Sequence, residues 1–369
     1  MNISSLKQIK LSPLHNLHKK YGATMTNFFG WELPVYYTGI IREHKHVRDF
    51  AGLFDVSHMC RIEIQDHEMG DLEKHLPVNM NDYYIGDVKY SFLINKSGLI
   101  IDDLLVNKIN KKILFVTNAS RRDKVIGLLS KVSDLKFKEL INTAQVAIQG
   151  PESEKILSTV FKESKDLNFM KIGEFNFKNS KFLISRTGYT GEDGFEIIGE
   201  KEKLSQIISI LLKDKKLKLI GLGARDSLRL EAGLCLYGNE ITEEINPMEA
   251  GISWVIDKKS MEFEKFYGSV SFKNILQTGI KKKRYGFVLS DRHIARSGTL
   301  VSNNKQEIRG YITSGCFSPT LNKSICMGFV NTNCMEKGDL FVNIRSNFIK
   351  INKINLPFVQ HKYKKIKDI

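Results

Sequence analysis

The stretch KFLISRTGYTGEDGFEII, residues 181–198, decides the fold of its region because two short strand patterns flank a glycine-rich loop. Residues 181–186 and 195–198 are predicted strands. A hairpin tip needs only about two to five turn residues, whereas this loop holds glycines together with several charged side chains. Glycines let the backbone and neighbouring carboxylates approach a ligand closely. Two interpretations stay open: a ligand-binding loop or an elaborate turn.

Outward from this stretch, strands and helices alternate. The strand patterns before it lie at residues 61–65, 90–94, 100–108, 113–117 and 146–149. The helical patterns lie at residues 40–47, 121–132, 151–160 and 204–212. The elements do not follow the regular βαβ repeat of a parallel sheet, so the pattern favours the α+β class.

The C-terminal part has a different pattern. From about residue 285 to residue 357 helical patterns nearly vanish, and short strands alternate with Gly, Ser and Asn. This pattern predicts a small β-barrel or sandwich as the last domain. The lysine-rich residues 258–283 are the predicted connector.

Composition excludes several classes of protein. The 369 residues suffice for two or three domains, and 42% hydrophobic with 26% charged residues is typical of a globular protein. No stretch approaches the ~20 apolar residues that span a bilayer. The five cysteines form no CxxC pair, so zinc-finger and thioredoxin-like sites lack their ligands, and we expect no metal. Residues 1–10 resemble no presequence, so we expect a bacterial-type cytoplasmic protein, or a mitochondrial matrix protein only if a presequence has been removed.

The net charge of +15, from 56 Lys and Arg against 41 Asp and Glu, is the unusual number. A basic surface attracts anionic partners such as nucleic acid, lipid, a polyglutamyl ligand or an acidic protein. A compositional bias toward lysine explains the charge equally simply. No basic motif with interleaved aromatic residues indicates nucleic-acid binding.

Two adjacent acids, Asp102 and Asp103, lie inside the apolar run GLIIDDLLV, residues 98–106. Neighbours on a strand point to opposite faces, so one of the two acids faces the interior or a cleft. A buried carboxylate needs a partner, and burial raises its pKa into a range useful for proton transfer. The alternative is a structural acid that caps a strand or pairs with an arginine.

A third pattern, GLGARDSLRLEAG at residues 221–233, begins with small residues and continues as a helix. Arg225 at the start of that helix can bind a carboxylate with two hydrogen bonds. The alternative is an ordinary helical ion pair between Asp226 and Arg229. His58 follows Asp55 and Ser57 too closely for a catalytic triad, so we expect a core or loop histidine.

Taken together, the motifs resemble the aminomethyltransferase, or T-protein, family of the glycine cleavage system from about residue 13 to residue 363. The motifs are FFGWELPVYY (28–37), LFDVSHM (53–59), IDDLLV (101–106), IQGP (148–151), SRTGYTGEDGFE (185–196), GLGARD (221–226), TSGCFSPTL (313–321) and PFV (357–359).

The resemblance implies an α+β fold, a three-domain cloverleaf around a central folate-binding funnel with a C-terminal small β-barrel. The expected folate-binding region spans residues 1–275 and contains two interleaved α+β domains, roughly 1–53 with 140–275, and 54–139. Residues 276–369 are the expected barrel domain.

The resemblance also implies an enzyme. The expected reaction transfers the methylene carbon of the aminomethyl group from the lipoyl arm of H-protein to tetrahydrofolate. Ammonia is released, and the products are 5,10-methylenetetrahydrofolate and dihydrolipoyl H-protein. The implied partners are lipoylated H-protein and tetrahydrofolate, the acceptor co-substrate, with no nucleic acid or membrane, and the expected state is a monomer.

By the same resemblance, Asp103 matches the family's key carboxylate and is the expected catalytic residue. The expected substrate- and folate-binding residues are Glu196, Arg225, Tyr363, Tyr189 and Tyr90. Two departures from the family pattern are Cys60, where glycine is usual, and the pair Gln360-His361 near Tyr363.

Other members of this superfamily set the competing hypotheses. One is a folate-dependent demethylase of dimethylglycine, sarcosine or a sulfonium substrate. Another is a non-enzymatic folate-binding protein with a KGCYxGQE motif, which the segment GLCLYGNE at residues 233–240 does not match.

Overall fold

A computed structural model of the chain describes residues 9–65, 69–334 and 338–364, which divide into two compact units. Unit 1 holds described residues 9–60, 140–226 and 362–364. Unit 2 holds described residues 61–65, 69–139, 227–334 and 338–361. The three-domain division given above stays a prediction.

The strands are β1 (Lys10–Leu11), β2 (Thr24–Phe28), β3 (Trp31–Tyr36), β4 (Ala51–Asp55), β5 (Cys60–Gln65), β6 (Val88–Ile94), β7 (Ile100–Ile109), β8 (Lys112–Thr117), β9 (Phe137–Glu139), β10 (Thr143–Gln149), β11 (Ile172–Phe177), β12 (Ser180–Ser185), β13 (Gly194–Glu200), β14 (Leu217–Ile220), β15 (Lys282–Leu289), β16 (Leu300–Ser302), β17 (Ile308–Ser318), β18 (Lys323–Asn331), β19 (Leu340–Ile344) and β20 (Asn347–Ile354). The helices are α1 (His15–Lys20), α2 (Ile40–Asp49), α3 (Arg122–Leu129), α4 (Ser153–Leu157), α5 (Lys201–Leu211), α6 (Leu222–Glu231), α7 (Pro247–Ala250), α8 (Lys258–Glu262) and α9 (Ser269–Thr278).

Unit 1 is built on a six-stranded sheet with strand order β11-β12-β13-β10-β4-β14. The pairing of β14 with β4 is parallel, and the other neighbouring strands in this sheet run antiparallel. Helix α5 packs its apolar side, which includes Leu204, Ile208 and Leu211, into the core formed on this sheet. The spacing of these residues is that of one helix face, so the amphipathic pattern positions the helix.

Unit 2 contains a five-stranded sheet with strand order β6-β7-β8-β5-β9 and a closed barrel formed by β15-β18-β17-β16-β19-β20. Barrel strands are antiparallel, and residues such as Phe287, Val301 and Ile312 fill the barrel core. Closing the sheet leaves no exposed strand edge, which short strands otherwise present to solvent. The α+β class and the C-terminal barrel are therefore confirmed.

The predicted connector, residues 258–283, is itself folded. Its residues form α8, α9 and the start of β15, and they bury Phe266 and Phe272 in a core cluster of unit 2. The turn before α9 lies so close to the β6–β7 turn that a Cβ added to Gly98 would be 2.8 Å from Gly268 Cα. The many lysines of this segment gave no indication that its aromatic residues are buried.

A buried ion pair ties α6 to the barrel within unit 2. Arg229 Nη1 lies 3.0 Å from Glu240 Oε2, and both side chains are almost completely buried. Ser314 Oγ accepts a hydrogen bond from Arg229 and donates one of 2.6 Å to Glu240. Arg229 thus pairs with Glu240, a residue 11 positions further along the chain.

No helix among the described residues is both long and apolar enough to cross a bilayer.

We predict that Glu240→Gln lowers the free energy of unfolding by about 3–5 kcal/mol, because the buried charge of Arg229 then loses the charge of Glu240. Equilibrium urea unfolding followed by circular dichroism measures the change. The exposed Glu244→Gln is the matched control and should change stability by no more than about 0.5 kcal/mol. Equal stability of the two variants would contradict the role given to the pair.

Candidate functional site

The acid pair Asp102 and Asp103 lies beside an irregularity in β7. The pairing of β7 with β6 shifts between Leu93 and Ile94, which is the signature of a β-bulge. Bulges redirect side chains and interrupt the alternation of faces along a strand. Asp102 is completely buried, and Asp103 is the more exposed residue of the two.

Both carboxylates bind the same amide, that of Asn118, which follows β8. Asn118 Nδ2 donates to Asp102 Oδ1 at 2.8 Å and to Asp103 Oδ1 at 2.7 Å, and Asn118 N donates to Asp102 Oδ2 at 2.9 Å. Tyr90 donates its hydroxyl to Asp103 Oδ2 at 3.0 Å. The Tyr90 ring stacks on exposed Trp254, with ring centroids 5.8 Å apart.

Burial raises the pKa of both carboxyls. The pKa of Asp102 rises well above its ordinary value because of burial and the neighbouring charge of Asp103, and Asn118 opposes the rise. Burial likewise raises the pKa of Asp103, against the hydrogen bonds from Tyr90 and Asn118. Two adjacent acids in this setting titrate as a pair that retains a proton above the usual range.

Arg121, which lies directly before α3, also contacts this cluster. Its Nε donates to Ile101 O at 2.7 Å, its guanidinium forms an ion pair with Glu243, and it lies 4.5 Å from the ring centre of Tyr237. The positive charge of Arg121 also opposes the rise in the pKa of Asp102. Arg121 therefore limits the tendency of burial to neutralise the acid pair.

In unit 1, the glycine-rich loop between β12 and β13 is held by Gln149. Gln149 Nε2 donates to Thr187 O at 2.9 Å, and Thr190 Oγ1 donates to Gln149 Oε1 at 3.0 Å. A Cβ added to Gly188 would lie 1.8 Å from Gln149 Oε1, so a larger residue there would displace the amide that holds the loop. The loop is a tightly built turn.

Two loop acids are used in ion pairs that fix the loop. Asp193 Oδ1 accepts a hydrogen bond of 3.0 Å from Arg186, whose side chain is buried. Glu192 lies 3.0 Å from Arg48 and 3.1 Å from Lys362. Glu192 and Asp193 therefore stabilise the loop as a turn. Tyr189 and Glu196 lie in a separate cluster, where the interpretation as a ligand-binding loop stays a prediction.

That cluster contains Glu196, Arg225, Tyr189 and Gln145. Gln145 Nε2 donates to Glu196 Oε2 at 2.9 Å, and the Arg225 guanidinium lies 4.7 Å from the ring centre of Tyr189. Burial raises the pKa of Glu196, while Arg225 and Gln145 oppose the rise. Burial lowers the pKa of Arg225, and the charge of Glu196 opposes that change.

Two buried polar atoms of this cluster have no hydrogen-bond partner among the residues the structure describes. They are Arg225 Nη1, a donor, and Gln145 Oε1, an acceptor. Buried polar atoms are nearly always paired, so unpaired ones beside a carboxylate indicate a place for a polar ligand.

Tyr363 lies on the C-terminal segment of unit 1 and stacks on Phe169, with ring centroids 4.1 Å apart. Burial raises the pKa of Tyr363 to about 12, Arg48 opposes the rise, and Glu192 adds to it. Backbone bonding fixes the segment, because Lys362 N donates to Gly191 O at 2.8 Å. Tyr363 is therefore held beside the glycine-rich loop.

The structure brings Asp103 and Tyr90 together in unit 2, and Glu196, Arg225 and Tyr189 together in unit 1. The roles assigned to these residues and to Tyr363 stay predictions.

Sequence analysis missed the side chains that orient these groups: Asn118, Arg121 and Gln145. A weak signal existed for Gln145, a lone amide inside the apolar run AQVAI at residues 144–148. No comparable signal marked Asn118, which follows its strand like many turn residues.

The two departures from the family pattern are accommodated. Cys60 is buried at the start of β5, and a hydrogen bond of 2.9 Å joins His361 Nε2 to Ala232 O. Within the described ranges, no group of three or more His, Cys, Asp or Glu residues is arranged to hold a metal ion.

Comparison with known proteins gives consistent matches along nearly the whole chain. The family described as GCVT N-terminal domain matches residues 14–260, and the glycine cleavage T-protein C-terminal barrel domain matches residues 282–360. The aminomethyltransferase of Aquifex aeolicus is 40% identical, over 95% of this chain and 95% of its own. A probable mitochondrial aminomethyltransferase of Schizosaccharomyces pombe is 37% identical, over 97% of this chain and 95% of its own.

A solved structure agrees with these matches. The glycine cleavage system aminomethyltransferase T from Bartonella henselae superposes with a TM-score of 0.91 at 34% identity. The match covers 97% of this chain and all of the other one.

The acid pair predicts a pH dependence of stability. Because the folded pair keeps a proton that unfolded carboxyls release near their ordinary pKa, the free energy of unfolding should fall as pH rises above that value. Asp102→Asn should flatten this fall. Urea unfolding between about pH 5 and about pH 8 measures it.

The exposed Asp123→Asn, also in unit 2, is the control and should keep the wild-type slope. A wild-type slope in Asp102→Asn would show that the pair does not hold the proton.

Proposed function

The chain belongs to the glycine cleavage T-protein family of aminomethyltransferases, and from that premise we propose its reaction. It transfers the methylene carbon of an aminomethyl group, carried on the lipoyl arm of H-protein, to tetrahydrofolate. Ammonia leaves, and 5,10-methylenetetrahydrofolate and dihydrolipoyl H-protein are formed.

The observation that carries this proposal is the setting of Asp103. Asp103 is a partly exposed residue, and its carboxyl receives hydrogen bonds from Tyr90 and Asn118 and has a pKa raised by burial. A carboxyl held in this way suits a reaction in which an amine reacts and positive charge develops at carbon.

Tetrahydrofolate, when bound, supplies the nitrogen nucleophile that accepts the carbon. Asp103 accepts a hydrogen bond from the reacting amine and so orients it. Its charge stabilises the positive charge that develops on the transferred carbon. Tyr90 and Asn118 hold the carboxylate in place, which keeps the charge preorganised for this step.

The residues of the Glu196 cluster fit the pterin ring. That ring presents amide and amine donors, which a buried carboxylate accepts well. The unpartnered Nη1 of Arg225 supplies a donor for an acceptor atom of the ligand. Glu196, Arg225 and Tyr189 thus recognise the ring, and Tyr363 is proposed as a binding residue beside them.

The basic surface favours the proposed partners. An acidic carrier protein and the polyglutamyl tail of folate are both attracted by a net charge of +15. The monomeric state stays a prediction. The cytoplasmic location also stays a prediction, because the relatives include both a bacterial enzyme and a yeast enzyme named mitochondrial.

We predict that Asp103→Asn slows transfer by at least about 100-fold while tetrahydrofolate still binds, because the variant loses the charge that stabilises the transition state. The measurement is single-turnover formation of methylenetetrahydrofolate from aminomethyl-loaded H-protein, with folate affinity determined by calorimetry. Asp123→Asn is the control and should react at the wild-type rate.

Full activity of Asp103→Asn would remove Asp103 from the mechanism. A wild-type protein that forms no product from loaded H-protein, but consumes dimethylglycine or a sulfonium substrate, would instead support the demethylase alternative.

We also predict that salt weakens H-protein docking more than pterin binding. Surface charges are screened within about 8 Å at physiological ionic strength, whereas buried pairs are screened much less. Titrations of H-protein and of monoglutamyl tetrahydrofolate at increasing salt test this difference. Equal salt sensitivity would assign the positive charge to composition alone.

A further inference from the structure

Gln145 is a buried amide within the apolar run AQVAI of strand β10. Its side chain and backbone are 1% exposed, and its neighbours Ala144 and Val146 belong to the core of unit 1. Ser57 fixes its backbone, because Gln145 N donates to Ser57 Oγ at 3.1 Å and Ser57 Oγ donates to Gln145 O at 3.2 Å. Burying an amide is unfavourable unless its polar atoms form hydrogen bonds.

Only one end of this amide has a partner among the described residues. Nε2 donates to Glu196 Oε2 at 2.9 Å, and Oε1 is buried with no hydrogen bond. The Nε2 bond favours the ionised carboxylate and opposes the effect of burial on the pKa of Glu196. Gln145 Oε1 is therefore a buried acceptor that no described residue satisfies.

An amino group on a ligand would complete this arrangement. It carries two protons, so it can donate one to Glu196 and the other to Gln145 Oε1. The unpartnered Arg225 Nη1 in the same cluster is a second indication that a polar ligand completes it.

We propose that Gln145 determines specificity for a ring that carries an exocyclic amino group next to a ring N–H. This inference rests on the proposed function, in which that ring is the 2-amino-4-oxopyrimidine part of tetrahydrofolate. Gln145 orients the Glu196 carboxylate through Nε2 and accepts a hydrogen bond from the ligand through Oε1.

The test compares tetrahydrofolate with its 2-desamino analogue by calorimetry in wild type and Gln145→Met. Methionine keeps the length of the side chain and removes both hydrogen-bonding groups. Wild type should prefer tetrahydrofolate, whereas Gln145→Met should bind it about tenfold more weakly and lose most of the preference. Gln206→Met, an exposed change on α5, is the matched control and should behave as wild type.

The pH dependence gives a second readout. Loss of the Nε2 bond raises the pKa of Glu196 further, so the carboxylate of Gln145→Met ionises only at higher pH. The acid limb of tetrahydrofolate binding should therefore shift to higher pH in this variant. If Gln145 had a purely structural role, Gln145→Met would bind both ligands more weakly by the same factor. The acid limb of tetrahydrofolate binding would then stay at the wild-type pH.

Gln145→Glu is the second variant if Gln145→Met does not fold. It keeps an acceptor for the amino group and places a second acid beside Glu196. It should keep the preference for the amino ligand and bind best at lower pH, where the two acids share a proton.

Three results decide the matter. Wild type that binds no tetrahydrofolate overturns the proposed function and the ligand named here together. Wild type that binds it while Gln145→Met keeps the wild-type preference and acid limb overturns the role of Gln145 alone. Loss of both features supports the proposal.

Discussion

The buried carboxylate of Asp55 organises unit 1. It accepts hydrogen bonds from His18 Nε2 at 2.7 Å and from Ser57 N at 2.9 Å, and it also binds Ser12. Burial opposes its ionisation, but these bonds and the nearby imidazole outweigh burial and lower the pKa of Asp55. Ser57 in turn binds the backbone of Gln145. One fixed charge thus begins a chain of hydrogen bonds that ends at the Glu196 carboxylate.

The same physical arrangement occurs in both candidate clusters. A carboxyl is taken out of water, which raises its pKa, and a neutral amide then donates to it and limits the rise. Asn118 contributes to this for Asp102 and Asp103, beside Arg121 and Tyr90, and Gln145 contributes to it for Glu196, after the larger effect of the Arg225 charge. An amide adds no charge of its own, so the carboxyl keeps the ability to respond to a charged or protonated ligand.

Much of the fold follows from local patterns. The period-two pattern of residues 61–65 became β5, and the apolar face of residues 204–212 became α5, because burial of one face decides both elements. The closed C-terminal barrel was anticipated only as a barrel or sandwich. The helices and buried aromatic residues of the predicted connector, residues 258–283, were not anticipated, because abundant lysines are uninformative about the few aromatic residues that reach the core. For the candidate site, the sequence predicted the acids Asp103 and Glu196 but not the amides of Asn118 and Gln145 that orient them.

By itself the sequence determined the α+β class, the family and the positions of the acids, since motifs and periodicity are local properties of the chain. Only the tertiary structure decided that one amide, that of Asn118, binds both acids of the pair, because Asn118 comes from the end of the neighbouring strand β8. It also decided that Arg229 pairs with Glu240 and that Gln145 reaches Glu196. These contacts join residues distant in the chain, and their energies depend on burial, which no local pattern specifies.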